Sequence, residues 1–168
     1  MKQTNNKKGF TLVETLVTVI IVVLLTLILT ELTSLASRYF TSTVKDADAQ
    51  ILCSTLTNAI EDELRYATNI DYDGTDFKYY SKNSGLGRKT QIVSEVVNGR
   101  NVLNIKSASG SYPLVNYGSY VYDLNAFIAL TYSADNNVHI NLEIKDAVGK
   151  LICSNRFSVK PLNPGYLK

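Results

Sequence analysis

A long apolar run follows the polar N-terminus and extends from Phe10 to Thr30. Nearly all of its residues are apolar or Thr, and Glu14 carries the only charge in it. About 20 apolar residues are enough to cross the hydrocarbon core of a bilayer as a helix. Because a lone segment in lipid must satisfy its own backbone hydrogen bonds, we predict a membrane-spanning helix over residues 10–30.

The helical pattern continues beyond this run and becomes amphipathic. No Pro or Gly occurs from Phe10 to Asp73. Polar Asn69 and the run Asp71-Tyr72-Asp73-Gly74 then signal the end of a helix. We therefore predict one continuous helix that ends near Asn69, with an amphipathic half over residues 31–70. Its apolar face repeats at spacings of three and four residues, and comprises Leu52, Leu56, Ile60, Leu64 and Ala67.

Residues 71–168 have the pattern of a β-rich head. From Val138 to Lys145, apolar and polar residues alternate, which is typical of a half-buried antiparallel strand. With the flanking runs Phe127–Tyr132 and Lys150–Val159 it predicts a three-stranded meander. On the last strand we expect one apolar face formed by Leu151, Cys153, Phe157 and Val159.

The region from Asp71 to Ser119 is more polar, and we expect loops with two or three short strands. Within it, Val93–Val97 and Val102–Ile105 flank Asn98-Gly99-Arg100-Asn101, which predicts a hairpin with an Asn-Gly turn. A sheet with one apolar face needs a cover, and the amphipathic half of the helix can provide it. The predicted fold is therefore α+β, with a long N-terminal helix packed on an antiparallel β-sheet head.

The first nine residues are positively charged, whereas the rest of the chain is close to neutral. The chain has 17 Lys+Arg and 15 Asp+Glu, and three of the lysines lie before Phe10. From Phe10 onward the balance is 14 (17 minus 3) against 15, so no basic field for nucleic acid is expected. By the positive-inside rule the N-terminus faces the cytoplasm and the head faces outward.

The two cysteines, Cys53 and Cys153, fall on the predicted core faces of the helix and of the last strand. An outward-facing head permits a disulfide. It would close a loop of about 100 residues, which the chain-entropy model values at about 4.7 kcal/mol. Two buried free thiols are the alternative, since Cys also behaves as a small apolar residue.

The run from Lys8 to Glu14, KGFTLVE, and the apolar segment after it resemble the class III signal of type IV pilins and pseudopilins. The resemblance implies that a prepilin peptidase cuts between Gly9 and Phe10 and methylates the new amine of Phe10. It also implies that Glu14 neutralises that amine on an adjacent subunit. Glu31 stands where many pilins have Pro, so a Pro-induced kink is not implied there.

The implied function is a structural subunit of a type IV pilus or pseudopilus. The runs Ile60–Ala67 and Phe157–Val159 resemble minor pilins and J-type pseudopilins, and favour a minor pilin. The implied partners are other pilin subunits, the prepilin peptidase and the inner-membrane assembly machinery. The subunit would start as a single-pass protein of the cell membrane, with its N-terminus in the cytoplasm, and end in an extracellular filament.

Three alternatives stay open. The first is a pilus-borne binding module, either an adhesin or a DNA-uptake pilin, that uses the head. The second is a signal-anchored extracellular protein that never polymerises. A plain secretory signal peptide, cut after Ser34-Leu35-Ala36, also fits the basic start, but its apolar region would be too long and would contain Glu14.

Other motifs offer little chemistry. Asp71 to Asp76 resembles part of a calcium loop, but Lys82 stands where an EF-hand needs a bidentate Glu. His139 is the only histidine and has no partner for a zinc site or a catalytic triad. We predict no enzyme, cofactor or metal. A binding patch for single-stranded nucleic acid or a sugar would combine Tyr112, Tyr117, Tyr120 and Tyr122 with Arg88, Lys89, Arg100 and Lys106. The alternative is that these tyrosines are ordinary strand residues, which β propensity favours.

Overall fold

The computed structural model describes residues 11–81, 89–162 and 165. One helix, α1 (Leu12–Arg65), precedes eight strands in two antiparallel sheets. The first sheet has the order β1-β2-β3-β4-β5, and the second has the order β6-β7-β8. The strands are β1 (Thr68–Tyr72), β2 (Phe77–Tyr80), β3 (Lys89–Val97), β4 (Arg100–Ser107), β5 (Gly110–Pro113), β6 (Asn125–Tyr132), β7 (Val138–Lys145) and β8 (Leu151–Val159), with a 3₁₀ turn at Tyr117–Ser119.

The chain divides into two compact units, Met1–Thr43 and Val44–Lys168, and α1 contributes to both. In the first unit every described residue is exposed. In the second unit, the rest of α1 and the two sheets share one apolar core.

α1 ends at Arg65, four residues before the predicted end near Asn69. Its last carbonyl, that of Arg65, accepts a hydrogen bond of 2.9 Å from the backbone N–H of Leu162. The next residues then form β1 and pair with β2. A helix end satisfied by a residue so distant in the chain has no local sequence signal. At Glu31 the helix is uninterrupted.

The region expected to hold two or three short strands forms a five-stranded sheet, together with the start of β1 at Thr68. The predicted hairpin is confirmed as β3 and β4, with Val97 opposite Arg100. Its turn has two residues rather than four, because Asn98 and Gly99 both adopt positive φ (52° and 78°), as a type I′ turn requires.

The predicted C-terminal meander is confirmed as β6, β7 and β8. The prediction that Leu151 belongs to the apolar face of the last strand is wrong. Ile144 pairs with Cys153 but Lys145 pairs with Leu151, so Ile152 forms a bulge. Because a bulge shifts the alternation by one residue, Leu151 leaves the apolar face and is half exposed.

The core of the second unit lies between α1 and both sheets. Buried strand residues include Leu103 in β4 and Leu142 in β7. The helix contributes Ala49, Leu52, Cys53, Leu56, Ile60 and Leu64, at the predicted spacing of three and four. The predicted fold class is confirmed: the chain is α+β, with a long N-terminal helix and antiparallel sheets in a pilin-like arrangement.

Candidate functional site

The first unit presents a continuous apolar surface. We call residues 11–30 the apolar segment. None of the 18 most apolar consecutive residues of this helix is buried. Among the described residues, α1 is the one helix long and apolar enough to cross a membrane. Such a surface is stable only in lipid or against other apolar surfaces.

The threonines do not make this segment polar. From Thr15 to Thr30 each threonine hydroxyl donates to a backbone carbonyl one turn earlier, so these hydroxyls need no partner outside the helix. Thr18 donates to Glu14 at 2.7 Å and Thr30 donates to Thr26 at 2.8 Å. Thr15 and Thr26 make similar bonds, and so does Thr33 just after the segment.

Glu14 caps the start of α1. Its backbone N–H donates to Thr11 Oγ1 at 3.3 Å, and its Oε2 accepts a long bond of 3.5 Å from the backbone N–H of Thr11. This is the reciprocal capping box of a Thr and a Glu three residues apart. The carboxylate is therefore held at the N-terminus of the helix, where the macrodipole favours negative charge.

The residues predicted for processing, Gly9 and Phe10, lie outside the described residues. Along the chain they come immediately before Thr11, so the predicted cleavage site adjoins the cap. The roles expected of Gly9, Phe10 and Glu14 in processing, methylation and assembly stay predictions.

The two cysteines lie in the second unit, where they are free thiols. Cys53 is buried on the core face of α1, and Cys153 is half-buried on β8. Burial and the neighbouring Cys153 thiol raise the pKa of Cys53 to about 12. At neutral pH Cys53 is therefore a protonated thiol of low reactivity.

The expectation that the run Asp71 to Asp76 ends the helix is wrong. The run forms the end of β1 and the turn that leads into β2. Asp73 Oδ1 accepts bonds from the backbone N–H groups of Thr75 and Asp76, at 2.9 and 2.7 Å. These bonds hold the pKa of Asp73 below its usual value. Within the described ranges, no group of three or more His, Cys, Asp or Glu side chains is placed to hold a metal ion.

The predicted tyrosine patch is only partly exposed. Tyr112, Tyr117 and Tyr122 are exposed, but Tyr120 is 1% exposed and its hydroxyl accepts a 3.0 Å bond from the backbone N–H of Leu103. Tyr120 is therefore a core residue. His139 is exposed on β7, as its position in the strand pattern predicts.

The basic residues near these tyrosines are paired with carboxylates. Lys89 contacts Asp71 at 2.6 Å, and the Arg100 guanidinium contacts Asp123 at 2.8 Å. The ammonium group of Lys106 contacts the Glu95 carboxylate at 3.2 Å. Arg88 lies outside the described residues. Because each pair is locally neutral, these three residues contribute little positive potential for a polyanion.

One buried residue of α1 is an acidic side chain that the predicted apolar face does not include. Glu63 is 5% exposed, and its Oε1 accepts a 3.2 Å bond from the hydroxyl of buried Tyr79. Burial and the nearby Glu63 carboxylate raise the pKa of Tyr79. The signal was its spacing, since Glu63 follows Ile60 by three residues on the apolar face of the helix. It borders an open cavity of about 650 Å³ that Thr90 and Tyr112 also line.

Comparison with known proteins identifies one motif. Residues 4–30 match the family model described as the prokaryotic N-terminal methylation motif. No curated protein and no solved structure matches the chain. The chain thus carries a prepilin-type methylation motif at its N-terminus, which includes the apolar start of α1, and is consistent with the type IV pilin family.

Proposed function

We propose that this chain is a filament subunit, a minor pilin of a type IV pilus or a pseudopilus, processed by a prepilin peptidase. The observation that carries the proposal is the methylation motif over residues 4–30, which includes the exposed apolar segment. The motif supports cleavage between Gly9 and Phe10 and methylation of Phe10. It also supports other pilin subunits and the assembly machinery of the inner membrane as partners.

The apolar segment suits two environments in turn. In the membrane, lipid surrounds its exposed Leu, Ile and Val side chains. In a filament, the same side chains contact equivalent helices of other subunits. This transfer replaces one apolar surface with another, so it requires little change in hydrophobic free energy.

Glu14 fixes the position of each subunit relative to its neighbour in the filament. Cleavage before Phe10 creates an ammonium group at the new N-terminus. An isolated charge is costly in an apolar bundle, and pairing it with a carboxylate removes two unpaired charges at once. We infer that Glu14 of one subunit meets the Phe10 amine of its neighbour and thereby sets the register between subunits.

The minor-pilin role rests on the resemblance of Ile60–Ala67 and Phe157–Val159 to minor pilins and J-type pseudopilins. A minor pilin helps to initiate a filament and is present in few copies. The subunit would begin in the cell membrane and end in an extracellular filament that serves adhesion, twitching, secretion or DNA uptake. A pilus-borne binding module is the second candidate, favoured by the exposed Tyr112, Tyr117 and Tyr122.

The test is to recover the protein from cells, to determine its N-terminal sequence and intact mass, and to quantify it in sheared filaments. We expect a start at Phe10, the mass of one added methyl group, and a small copy number relative to a major subunit. A copy number equal to the major component would contradict the minor role.

A start after Ala36 would show an ordinary secreted protein, and an intact Met1 would show a permanent signal anchor. Either result would overturn the filament proposal. Correct processing without any protein in sheared filaments would favour a signal-anchored protein that does not polymerise.

A further inference from the structure

Strand β8 is fastened to the helix beside Cys53. Asn155 Nδ2 on β8 donates a 3.0 Å bond to Thr57 Oγ1, and that hydroxyl donates a 2.8 Å bond to the carbonyl of Cys53. The Asn155 side chain is thus connected through the Thr57 hydroxyl to the backbone of Cys53.

Each cysteine lies a short distance before this contact in its own element. Cys53 precedes Thr57 by one helical turn, about 6 Å, and Cys153 precedes Asn155 by two strand residues, about 7 Å, on the same face. The steps are nearly equal, and the Cys53 thiol is hydrogen-bonded to the Cys153 thiol, so the two side chains adjoin. Ile144 opposite Cys153 is fully buried, which keeps the strand seated on the core at this position.

We propose that Cys53 and Cys153 form an intramolecular disulfide in the mature protein, which joins α1 covalently to β8. The proposal rests on the outward-facing head of the proposed function, because oxidation needs an oxidising compartment. The bond would hold the amphipathic half of the helix on the last strand when the subunit is pulled from the membrane.

The difference in exposure between the two cysteines sets the order of the steps. Cys153 is half-buried and reachable, whereas Cys53 is 4% exposed. Cys153 loses its proton and attacks a disulfide of an oxidant protein, which gives a mixed disulfide and releases one thiol. Cys53 then loses its proton, attacks the Cys153 sulfur and releases the second thiol. Two electrons and two protons have then passed to the oxidant, which is reduced to a dithiol.

The first test is alkylation of the full-length protein from cells, quenched in acid and unfolded before labelling. We expect no alkyl adduct before reduction, two adducts after it, and a monomer on a non-reducing gel. Two adducts before reduction, or a dimer that reduction dissolves, would overturn the proposal. The same mass spectrum reports whether the chain begins at Phe10, so a failure of processing is seen separately from a failure of oxidation.

The second test uses reduced full-length protein in detergent, treated with oxidised glutathione. Wild type should close its disulfide and retain no glutathione. Cys53→Ala should retain one glutathione on Cys153, and Cys153→Ala should react at least about 10-fold more slowly, because its remaining thiol is buried. Equal rates for the two variants would overturn the proposed order of the steps. Wild type that retains glutathione would overturn the proposed pairing.

Discussion

At the scale of single residues, Glu14 combines an observed cap of the helix with the pairing that we propose for it in the filament. Its hydrogen bonds with Thr11 cap the helix, and its charge is the one available to meet an ammonium in the apolar segment. A capping box accepts Gln in place of Glu, whereas neutralising an ammonium requires the carboxylate. The two roles can therefore be tested with different substitutions.

We predict that Glu14→Gln and Glu14→Ala both lower the amount of the subunit in sheared filaments by about 10-fold or more. The physical reason is that an unpaired buried ammonium costs about 3 kcal/mol or more. The measurement is immunoblotting of the filament fraction, relative to the amount in the membrane. Thr11→Ala is the matched control, because it removes the hydroxyl of the cap but keeps the charge, and we expect it to assemble. Wild-type incorporation of Glu14→Gln would show that the cap alone matters.

At the scale of elements, one carboxylate connects three strands of the first sheet. Glu95 on β3 accepts bonds from Asn104 on β4 at 2.9 Å and from Ser111 on β5 at 2.7 Å. Lys106 on β4 adds a contact of 3.2 Å. These bonds, that of Asn104 first, lower the pKa of Glu95 to about 2. The ionised carboxylate thus stabilises the edge of the sheet.

We predict a pH-dependent contribution of Glu95 to the free energy of unfolding. Because its pKa is lowered on folding, the contribution is complete above pH of about 4.5 and is lost as the pH falls toward about 2. Glu95→Gln should therefore destabilise the protein by about 1–2 kcal/mol at pH 7, and by much less near pH 2. Denaturant unfolding of the full chain in detergent at both pH values measures this difference.

The control for this experiment is Asp135→Asn, at an exposed position in the turn between β6 and β7. We expect it to change stability little at either pH. An equal loss for Glu95→Gln at both pH values would show that its charge contributes nothing to the stability of the sheet.

At the scale of the whole molecule, the buried residues belong to one unit. Every described residue classed as buried lies at or after Ala49, and every described residue before Val44 is exposed. The core is therefore complete without the apolar segment. The apolar segment in turn has no core of its own and depends on lipid or on other subunits.

We predict that a chain beginning at Val44 is water-soluble and unfolds cooperatively, whereas the full chain requires detergent. A chain beginning at Thr57 is the control. It lacks Leu52, Cys53 and Leu56, and we expect it not to fold, because each large apolar side chain removed from a core costs about 2–5 kcal/mol. Circular dichroism and thermal unfolding test both chains. Aggregation of the chain that begins at Val44 would contradict the prediction.

The sequence alone was sufficient wherever a signal is local. The apolar segment, the amphipathic face of α1, the Asn98-Gly99 hairpin and the β6–β8 meander follow from periodicity and turn chemistry, and the methylation motif is a contiguous run. Helical and strand periodicities act over a few residues, so they are present in the chain before it folds.

Only the tertiary structure decided the features that depend on distant partners. α1 ends at Arg65 because the backbone of Leu162 satisfies its carbonyl, and Leu151 leaves the apolar face because of a bulge against Lys145. Tyr120 is buried because β4 supplies a partner for its hydroxyl. In each case the partner that satisfies a polar group or fixes a strand register belongs to another element, and that pairing exists only once the elements have packed.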